Sequence, residues 1–260
     1  MRSALMYFGG KTRAVDIIRR HFPTRLTEMV SPFIGGGSIE IEMAKRRVRV
    51  HAYDAEPAVV CFWKYQLADP AALFAEVKRR GQVHPHEWLA FRARLSTMED
   101  SVERAALYYL VNRSAFQGGT LSAGRSKTQR ATRALMHDIR NFRAPKLSVE
   151  CADFHVSLAR HPGLFSYLDP PYLLQKQSAA RCYGQNGELH QKFDHEGLFD
   201  LVKDRSRWIM SQANSEKARS LYAGFKMTEL KLALSGDHEC KELLIFSRDL
   251  KPRPANAVRP

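Results

Sequence analysis

The sequence predicts an α/β protein built on one sheet that a helical insert interrupts. Strand-like apolar segments alternate with helical periodicities at residues 26–54 and again at residues 147–246. Between them, residues 56–144 carry mostly helical periodicity and no convincing strand. With 260 residues and a hydrophobic content of 44%, the chain can bury one large core together with a subdomain. We therefore expect two halves of one sheet, separated along the chain by helices.

The first half of the expected sheet has the pattern of a nucleotide-binding unit. Residues 26–30 form a short apolar segment, and the glycine run Gly35-Gly36-Gly37 follows soon after it. Ser38 is the predicted N-cap of the next helix, and residues 48–54 then alternate as a second strand that ends in Asp54. A strand, a glycine turn, a helix and a second strand with an acid at its tip form a unit in which that acid accepts ribose hydroxyls.

The glycine run also indicates which nucleotide-like ligand is favoured. Counting from Gly35, the third glycine position of the dinucleotide fingerprint is occupied by Glu40, and no phosphate-binding lysine follows the run. An acidic strand tip without such a lysine suits an uncharged ribose better than a polyphosphate. The pattern favours an adenosyl ligand without a pyrophosphate, such as S-adenosylmethionine. A tight turn whose glycines serve packing alone is the alternative.

The middle of the chain predicts helices followed by a basic, polar segment. Helical periodicity covers residues 59–67, 71–80, 86–95 and 102–111. Residues 120–133 then mix basic side chains with Ser, Thr, Gln and Gly and contain few core residues. Arginine suits guanine, and asparagine or glutamine suits adenine, so we expect nucleic-acid contacts here, with an ordinary solvated loop as the alternative. The candidate contact residues are Asn112, Arg113, Phe116, Arg125, Lys127, Arg130 and Arg133.

The α/β pattern returns in the second half of the chain. Apolar, strand-like segments again alternate with a helical one, and the last two strand-like segments are close enough to form a hairpin. The predicted elements are strands at residues 147–151, 164–168 and 208–211, a helix at residues 195–203, and hairpin strands at residues 227–234 and 243–246 joined by residues 235–238.

The tetrapeptide Asp169-Pro170-Pro171-Tyr172 follows one of these strands directly. Each proline fixes φ and removes a backbone donor, so the turn presents mainly oxygens, those of the Asp169 carboxylate and the Pro170 carbonyl. Tyr172 adds a flat face on which a ring can stack. A nucleic-acid base flipped out of its stack offers both a ring and an amino donor. The alternative is a proline-rich turn that simply ends a core strand.

The charge balance is typical of a protein that binds a phosphate backbone. Lys and Arg total 41 against 27 Asp and Glu, which gives a formal net charge of +14. The four cysteines are far apart and form no CxxC pair, so neither a zinc ribbon nor a disulfide framework is expected. No apolar run reaches the length of a membrane span or of a signal-peptide core, and we expect a cytoplasmic protein without a metal.

These motifs occur in an order that resembles a known family. The chain is similar to the α-class DNA adenine-N6 methyltransferases, the Dam-type adenine methylases of bacteria and phages. The resemblance covers nearly the whole length, with the cofactor loop first, the recognition insert next and the DPPY turn after it. It rests on Tyr7-Phe8-Gly9-Gly10-Lys11, Pro32-Phe33-Ile34-Gly35-Gly36-Gly37-Ser38, Asp54, Asn112-Arg113, Asp153-Phe154, Asp169-Pro170-Pro171-Tyr172 and Lys241-Glu242-Leu243-Leu244.

The resemblance implies a fold, an activity and a partner. The fold is a Rossmann-like S-adenosylmethionine-dependent methyltransferase sheet with helices on both faces, plus an inserted, mainly helical target-recognition subdomain. The activity is transfer of a methyl group from S-adenosylmethionine to the N6 amine of a flipped-out adenine in DNA, most simply double-stranded DNA. Together with the periodicities, the resemblance gives a catalytic domain at residues 1–55 and 145–250 and the insert at residues 56–144. The Pro-rich, basic composition of residues 251–260 predicts a disordered tail.

The resemblance also assigns residue roles. Asp169, Pro170, Pro171 and Tyr172 receive the target adenine as the catalytic group. Family members more often carry Trp at the position of Tyr7 and Glu at the position of Ser31, so a carboxylate is missing at Ser31. The implied cofactor-binding residues are Tyr7, Lys11, Pro32, Phe33, Gly35, Gly37, Asp54, Asp153, Phe154 and Asp169.

Three alternatives stay open at this point. Cytosine also presents an exocyclic amine, so the same clamp serves amino methylation of cytosine. RNA can replace DNA as the substrate. In a different class, the chain is a nucleic-acid-binding module that keeps the fold without catalysis.

Overall fold

The computed structural model describes residues 3–7, 9–84, 86–116, 138–174, 192–233 and 239–253. The predicted basic contacts Arg125, Lys127, Arg130 and Arg133, the turn of the predicted hairpin and most of the predicted tail lie outside these ranges. Among the described residues, no helix is long and apolar enough to cross a membrane. The cytoplasmic location stays a prediction.

The strands of the described residues form one seven-stranded sheet with the order β3-β2-β1-β4-β5-β7-β6. Strands β1 to β5 pair in parallel, whereas β7 pairs antiparallel with both β5 and β6. The predicted α/β class is therefore confirmed, with an antiparallel hairpin at one edge. The strands are β1 (Glu28–Ser31), β2 (Arg49–Asp54), β3 (Leu147–Cys151), β4 (Phe165–Leu168), β5 (Trp208–Ala213), β6 (Lys226–Ala233) and β7 (Glu239–Phe246).

The helices begin where local capping signals stand in the sequence. Glu56 and Asp69 are the N-caps of two helices, and the side chain of each accepts a backbone N–H group of the first turn. Proline follows each of these caps in the first turn, and Ser101 caps a third helix. The predicted helices are confirmed, with ends shifted by a few residues. They are α1 (Val15–Arg19), α2 (Ser38–Lys45), α3 (Pro57–Ala68), α4 (Pro70–Arg80), α5 (Trp88–Leu95), α6 (Val102–Ser114), α7 (Phe154–Arg160), α8 (His195–Val202) and α9 (Glu216–Leu221).

Three short helices were not predicted from the sequence, and the predicted N-cap of α2 was wrong. Helices α1, α7 and α9 span about two turns or less, which is too short for a hydrophobic period to show. Ser38 is the first residue of α2 rather than its N-cap. Gly37 takes the cap position with a left-handed φ of 69°, and its hydrogen side chain makes no cap bond. The Ser38 hydroxyl instead lies 3.0 Å from the hydroxyl of Thr12.

Helices cover both faces of the sheet, as the sequence predicted. Alternate strand residues point to opposite faces, so Tyr167 and Ile209 belong to one hydrophobic cluster and Leu168 and Met210 to another. Helices α1 to α6 contribute to the first cluster, through residues such as Ile18, Ile39, Val59, Leu73, Leu95 and Tyr108. Helices α7, α8 and α9 contribute to the second, through Leu158, Leu198 and Leu221.

The helices of the predicted insert are packed into the main core. Val59, Phe62 and Trp63 of α3 and Tyr108 of α6 lie in the same cluster as the strand residue Tyr167. Residues 56–116 thus support the sheet, whatever else the insert does. The domain limits at residues 55 and 144 stay predictions.

The strand order creates a switch point between β1 and β4. From β1 the chain continues to β2 and β3, which lie on one side of β1 in the sheet. From β4 it continues to β5, which lies on the opposite side. In such sheets ligands bind beyond the carboxyl ends of the strands at the point where the order reverses. The glycine turn follows β1 and Asp169 follows β4, so the two predicted motifs emerge side by side.

Candidate active site

The glycine turn is held between two aromatic side chains. Gly35 has a φ of 42°, and a Cβ there would lie 2.6 Å from Cε1 of Tyr7. Gly37 has a φ of 69°, and a Cβ there would lie 2.7 Å from the ring of Trp63. The indole Nε1 of Trp63 also donates to the carbonyl oxygen of Gly35 at 2.9 Å. Glycine is therefore required here both by conformation and by space.

Asp54 ties the end of β2 to the glycine turn. Its Oδ2 accepts from the backbone N–H of Gly35 at 2.9 Å, and its Oδ1 accepts from that of Glu56 at 3.0 Å. Burial raises the pKa of Asp54 to about 6, and these backbone donors oppose that rise. Each carboxylate oxygen has a second lone pair, so Asp54 retains capacity for ligand hydroxyls.

Asp169 is paired with Lys11 at the end of β4. Lys11 Nζ lies 2.9 Å from Asp169 Oδ1 and 3.9 Å from Glu242 Oε2, and it donates to the carbonyl oxygen of Gly9 at 2.6 Å. The same ammonium lies 5.0 Å from the centre of the Tyr172 ring. Lys11 is buried. The lysine expected beside the cofactor thus lies directly against the proposed clamp.

The electrostatics of this end of the site are dominated by burial. Burial raises the pKa of Asp169 to about 6 and Glu242 pushes the same way, while the Lys11 ammonium holds it down. Burial, followed by the charge of Asp169, raises the pKa of the Tyr172 phenol well above its usual range. At neutral pH Asp169 is therefore an ionised acceptor, and Tyr172 is a neutral ring.

A carboxylate lies beside Ser31 although it comes from another element. The Ser31 hydroxyl, at the end of β1, donates to Glu40 Oε1 at 2.5 Å, and both residues are buried. Glu40 belongs to the first turn of α2. Burial raises its pKa to about 7, against the opposing hydrogen bond from Ser31. Glu40 thus supplies a carboxylate beside Ser31, although in the sequence it stands out only as the residue at the third glycine position of the dinucleotide fingerprint.

An aromatic group stands at the other end of the site. The ring centre of Phe33 lies 6.1 Å from that of Phe154 and 5.7 Å from that of Phe193. Phe193 is a site residue that the sequence analysis missed, because residues 192–194 carry no motif. Asp153 caps α7 by accepting the backbone N–H of Val156 at 2.9 Å. The predicted pair Asp153 and Phe154 therefore starts a helix next to this aromatic group.

The segment after the DPPY turn is fixed to the end of β5. Gln212 Oε1 accepts from the backbone N–H of Leu173 at 2.7 Å, and the Ser215 hydroxyl donates to the carbonyl oxygen of Leu173 at 2.6 Å. Gln212 is fully buried. These two side chains hold the exit of the turn, and no sequence motif marked them.

One cavity joins the glycine turn to the DPPY turn. It encloses about 770 Å³ of atom-free space, including its opening to solvent. Among the described residues no group of three or more His, Cys, Asp or Glu is placed to hold a metal ion. The predicted site residues that line the cavity are Tyr7, Lys11, Phe33, Gly35, Gly37, Asp54, Asp169 and Pro171. The predicted site residues Pro32, Asp153, Phe154, Pro170 and Tyr172 are not among its lining residues.

The described residues predicted to contact DNA have unequal positions. Asn112 is fully buried, and its amide donates to the Met6 carbonyl at 2.6 Å and accepts the Met6 N–H at 2.9 Å. Both ends of that amide are used, so Asn112 anchors the segment that carries Tyr7. Arg113 is also buried. Phe116 is 58% exposed and remains accessible.

The fold and the cavity define a Rossmann-like methyltransferase in which a glycine turn and an acid-Pro-Pro-aromatic turn share one site. Residues 7–234 match the family described as D12 class N6 adenine-specific DNA methyltransferase, and the chain belongs to that family. It is therefore an enzyme of adenine-N6 methylation in DNA. A relative is the Type II methyltransferase M1.LlaDCHI of Lactococcus lactis subsp. cremoris, which is 22% identical over 259 residues, 88% of this chain and 87% of the relative.

The family implies a methyl donor, and the cavity suits a cationic one. Of the described residues that line it, the acids are Glu40, Asp54 and Asp169, and Lys11 is the basic side chain that opposes them. An excess of carboxylates favours a ligand with positive charge, and the acid at the tip of β2 favours hydroxyl donors.

Proposed function

We propose that this enzyme uses S-adenosylmethionine to methylate the N6 amine of an adenine that has left the DNA duplex. The observation that carries the proposal is the single cavity that reaches from the glycine turn after β1 to Asp169 after β4. A donor held at the turn and a base held at Asp169 would meet inside it. S-adenosylmethionine supplies an electrophilic methyl group on a cationic sulfonium when it is bound.

The donor-binding roles follow the shape of the cavity. Asp54 accepts the ribose hydroxyls, since it ends β2 and lines the cavity. Phe33 packs on the adenine ring of the donor, with Phe154 and Phe193 behind it. The methionine part of the donor is assigned to Tyr7 and the glycine turn, because Tyr7, Gly35 and Gly37 all line the cavity.

Asp169 and Pro170 prepare the target amine. The N6 nitrogen of adenine is a poor nucleophile because its lone pair is delocalised into the ring. The Asp169 carboxylate and the Pro170 carbonyl each accept one amine hydrogen, which localises the lone pair and directs it toward the donor side of the cavity. Tyr172 holds the plane of the base by stacking. Orientation of this kind lowers barriers by about 7–11 kcal/mol in well-aligned model reactions.

Asp169 also provides a place for the proton that the amine must lose. When nitrogen bonds to the methyl carbon, it carries one proton too many, and that proton has to leave for a neutral product to form. The pKa of Asp169, about 6 under burial, makes its carboxylate an acceptor that can hold a proton and release it to water. Lys11, at 2.9 Å, keeps this carboxylate ionised before the base arrives.

The DNA-binding roles rest on charge. The formal net charge of +14 supports attraction to phosphates, and contacts from Phe116 and from the basic residues Arg125, Lys127, Arg130 and Arg133 are proposed to hold the duplex. Flipping a base costs a few kcal/mol, which phosphate contacts can offset.

The direct test identifies the methylated base. The full chain is incubated with S-adenosylmethionine labelled in its methyl group and with mixed-sequence duplex DNA, which is then digested to nucleosides and analysed by mass spectrometry. We expect label in N6-methyladenine. Label confined to N4-methylcytosine, or transfer to RNA alone, would contradict the proposal.

A variant separates the clamp from donor binding. We expect Asp169→Ala to abolish methyl transfer, because one acceptor of the amine is lost, while most affinity for S-adenosylmethionine remains. Single-turnover transfer and calorimetric binding measure the two properties. Asp16→Ala is the matched control, since Asp16 is exposed and pairs only with Arg19 among the contacts of the described residues. Equal loss of transfer and binding in Asp169→Ala would reject the assigned role.

A further inference from the structure

Three acidic side chains interact with Lys11, which lines the cavity. Lys11 Nζ lies 2.9 Å from Asp169 Oδ1 and 3.9 Å from Glu242 Oε2. Glu40 is close enough that both Lys11 and Asp169 act on its charge. Lys11 can neutralise one of the three carboxylates, so this part of the cavity carries excess negative charge whenever the acids are ionised.

Glu40 differs from the other acids in what compensates it. Asp54 accepts two backbone N–H groups, and Asp169 has the Lys11 ammonium in contact. The hydrogen bonds to the Glu40 carboxylate come from the neutral hydroxyl of Ser31, at 2.5 Å, and from its own backbone N–H. Glu40 is only 3% exposed, yet it lines the cavity. A buried carboxylate compensated mainly by a hydroxyl is costly, and a cation that enters the cavity would reduce that cost.

We propose that Glu40 reads the charge of the methyl donor, favouring the cationic donor over the uncharged thioether that remains after transfer. This inference rests on the proposed function, because it assumes S-adenosylmethionine as the donor. Methyl transfer removes the sulfonium charge, and with it the attraction to Glu40. The carboxylate therefore helps the spent cofactor to leave, as well as helping the fresh donor to bind.

A purely structural role makes a different prediction. If the Ser31–Glu40 bond serves only to fix α2 on β1, replacing Glu40 would alter the site in the same way for every ligand. If Glu40 acts by charge, its replacement would change the affinity for cationic ligands and spare the neutral one. The ratio of the two affinities therefore distinguishes the roles.

The experiment measures that ratio by isothermal titration calorimetry on the full chain without DNA. The probes are S-adenosylmethionine, S-adenosylhomocysteine as the neutral product, and sinefungin, which carries an amine in place of the methylated sulfonium. We expect Glu40→Gln to weaken binding of both cationic ligands by roughly ten-fold, the range for a lost charge interaction, and to change S-adenosylhomocysteine by less than about two-fold.

Glu42 offers a matched control on the same helix. Its carboxylate pairs with Arg46 at 2.7 Å, and it does not line the cavity. Glu42→Gln removes the same charge from α2 and should leave all three affinities unchanged. An equal shift in the control would mean that the net charge of the helix, and not Glu40, sets the preference.

The pH dependence of the wild-type protein gives a second readout. The groups facing Glu40 are Ser31 from β1, Lys11 from the segment before α1, and Tyr167 and Asp169 from the end of β4. Asp169 has a pKa of about 6, and Glu40 a pKa of about 7. Asp54, which also lines the cavity, has a pKa of about 6 as well. Above pH 7 the change in charge therefore comes mainly from Glu40, so the preference for cationic ligands should grow from pH 7 to about pH 8 and change much less in Glu40→Gln.

The outcomes separate the inference from the function on which it rests. If the wild-type protein binds none of the three ligands, the proposed donor is wrong and the role of Glu40 falls with it. If it binds them but Glu40→Gln keeps the wild-type ratio, Glu40 is structural and only the inference fails. Should that variant not fold, a wild-type preference that stays flat across the pH series would overturn the inference equally.

Discussion

Three buried acids of the cavity lower the folding stability of the ligand-free protein when they are ionised. Burial raises the pKa of Asp54 and Asp169 to about 6 and that of Glu40 to about 7. The folded chain thus binds protons more tightly than the unfolded chain, where these groups have ordinary values. Folding stability from these groups is highest at low pH and falls as the pH rises from about 4 to about 7.

Glu40→Gln should relieve part of this cost in the ligand-free protein. We expect the variant to unfold at a higher temperature than the wild type at pH 8, by about 2–4 °C for each kcal/mol relieved, because Gln carries no charge to bury. At pH 5 the native Glu40 is already protonated, so the difference should shrink. Thermal unfolding followed by circular dichroism at both pH values measures it. A variant less stable than the wild type at pH 8 would contradict this expectation.

The turn between β1 and α2 works as one element with a helix that is distant in sequence. Trp63 of α3 contacts Gly37 and donates to the Gly35 carbonyl, while Tyr7 covers the other side. These contacts hold the turn in place without a ligand. Preformed sites lose less entropy on binding.

Gly37→Ala tests whether the close packing of Trp63 against Gly37 matters. Alanine at a φ of 69° is strained, and its Cβ would lie 2.7 Å from the indole of Trp63, so we expect a loss of roughly 2 kcal/mol or more in folding stability and weaker donor binding. Urea unfolding and calorimetry measure the two effects. Gly81→Ala is the control, because Gly81 has a similar φ of 71° and a Cβ there meets no atom within 4 Å. Similar losses in both variants would show that the Trp63 contact is unimportant.

Local signals explain which elements were predictable. The ends of β1 and β4 were found because glycine or proline follows each strand, and such residues interrupt backbone pairing by themselves. The contact of Trp63 with the glycine turn was not predicted. Helical periodicity indicates that a side chain is buried, but it does not indicate which loop that side chain contacts. Asn112 was assigned to DNA from its residue type, whereas its amide is satisfied by Met6 in the core.

At the scale of the whole molecule, the sheet order and the charge distribution were only partly visible in the sequence. The strands were predicted, but the place of β7 between β5 and β6 depends on long-range pairing that no local pattern encodes. The chain has a net charge of +14, whereas the lining of the cavity contains three acids and one lysine. Most positive charges of the chain therefore lie outside the cavity. Such a division suits an enzyme that attracts a polyanion and admits a cation.

The basic residues after Phe116 provide the test of this division. We expect the double variant Arg125→Gln, Lys127→Gln to weaken DNA binding and to make the slope of log affinity against log salt shallower by about 2, as two phosphate contacts are lost. Fluorescence anisotropy with a labelled duplex at several NaCl concentrations measures the slope. The control pair, Arg46→Gln with Lys203→Gln, removes the same charge from residues that already pair with Glu42 and Asp200. If the control flattens the slope equally, attraction depends on net charge alone, and an unchanged slope in the test variant would remove these residues from the DNA interface.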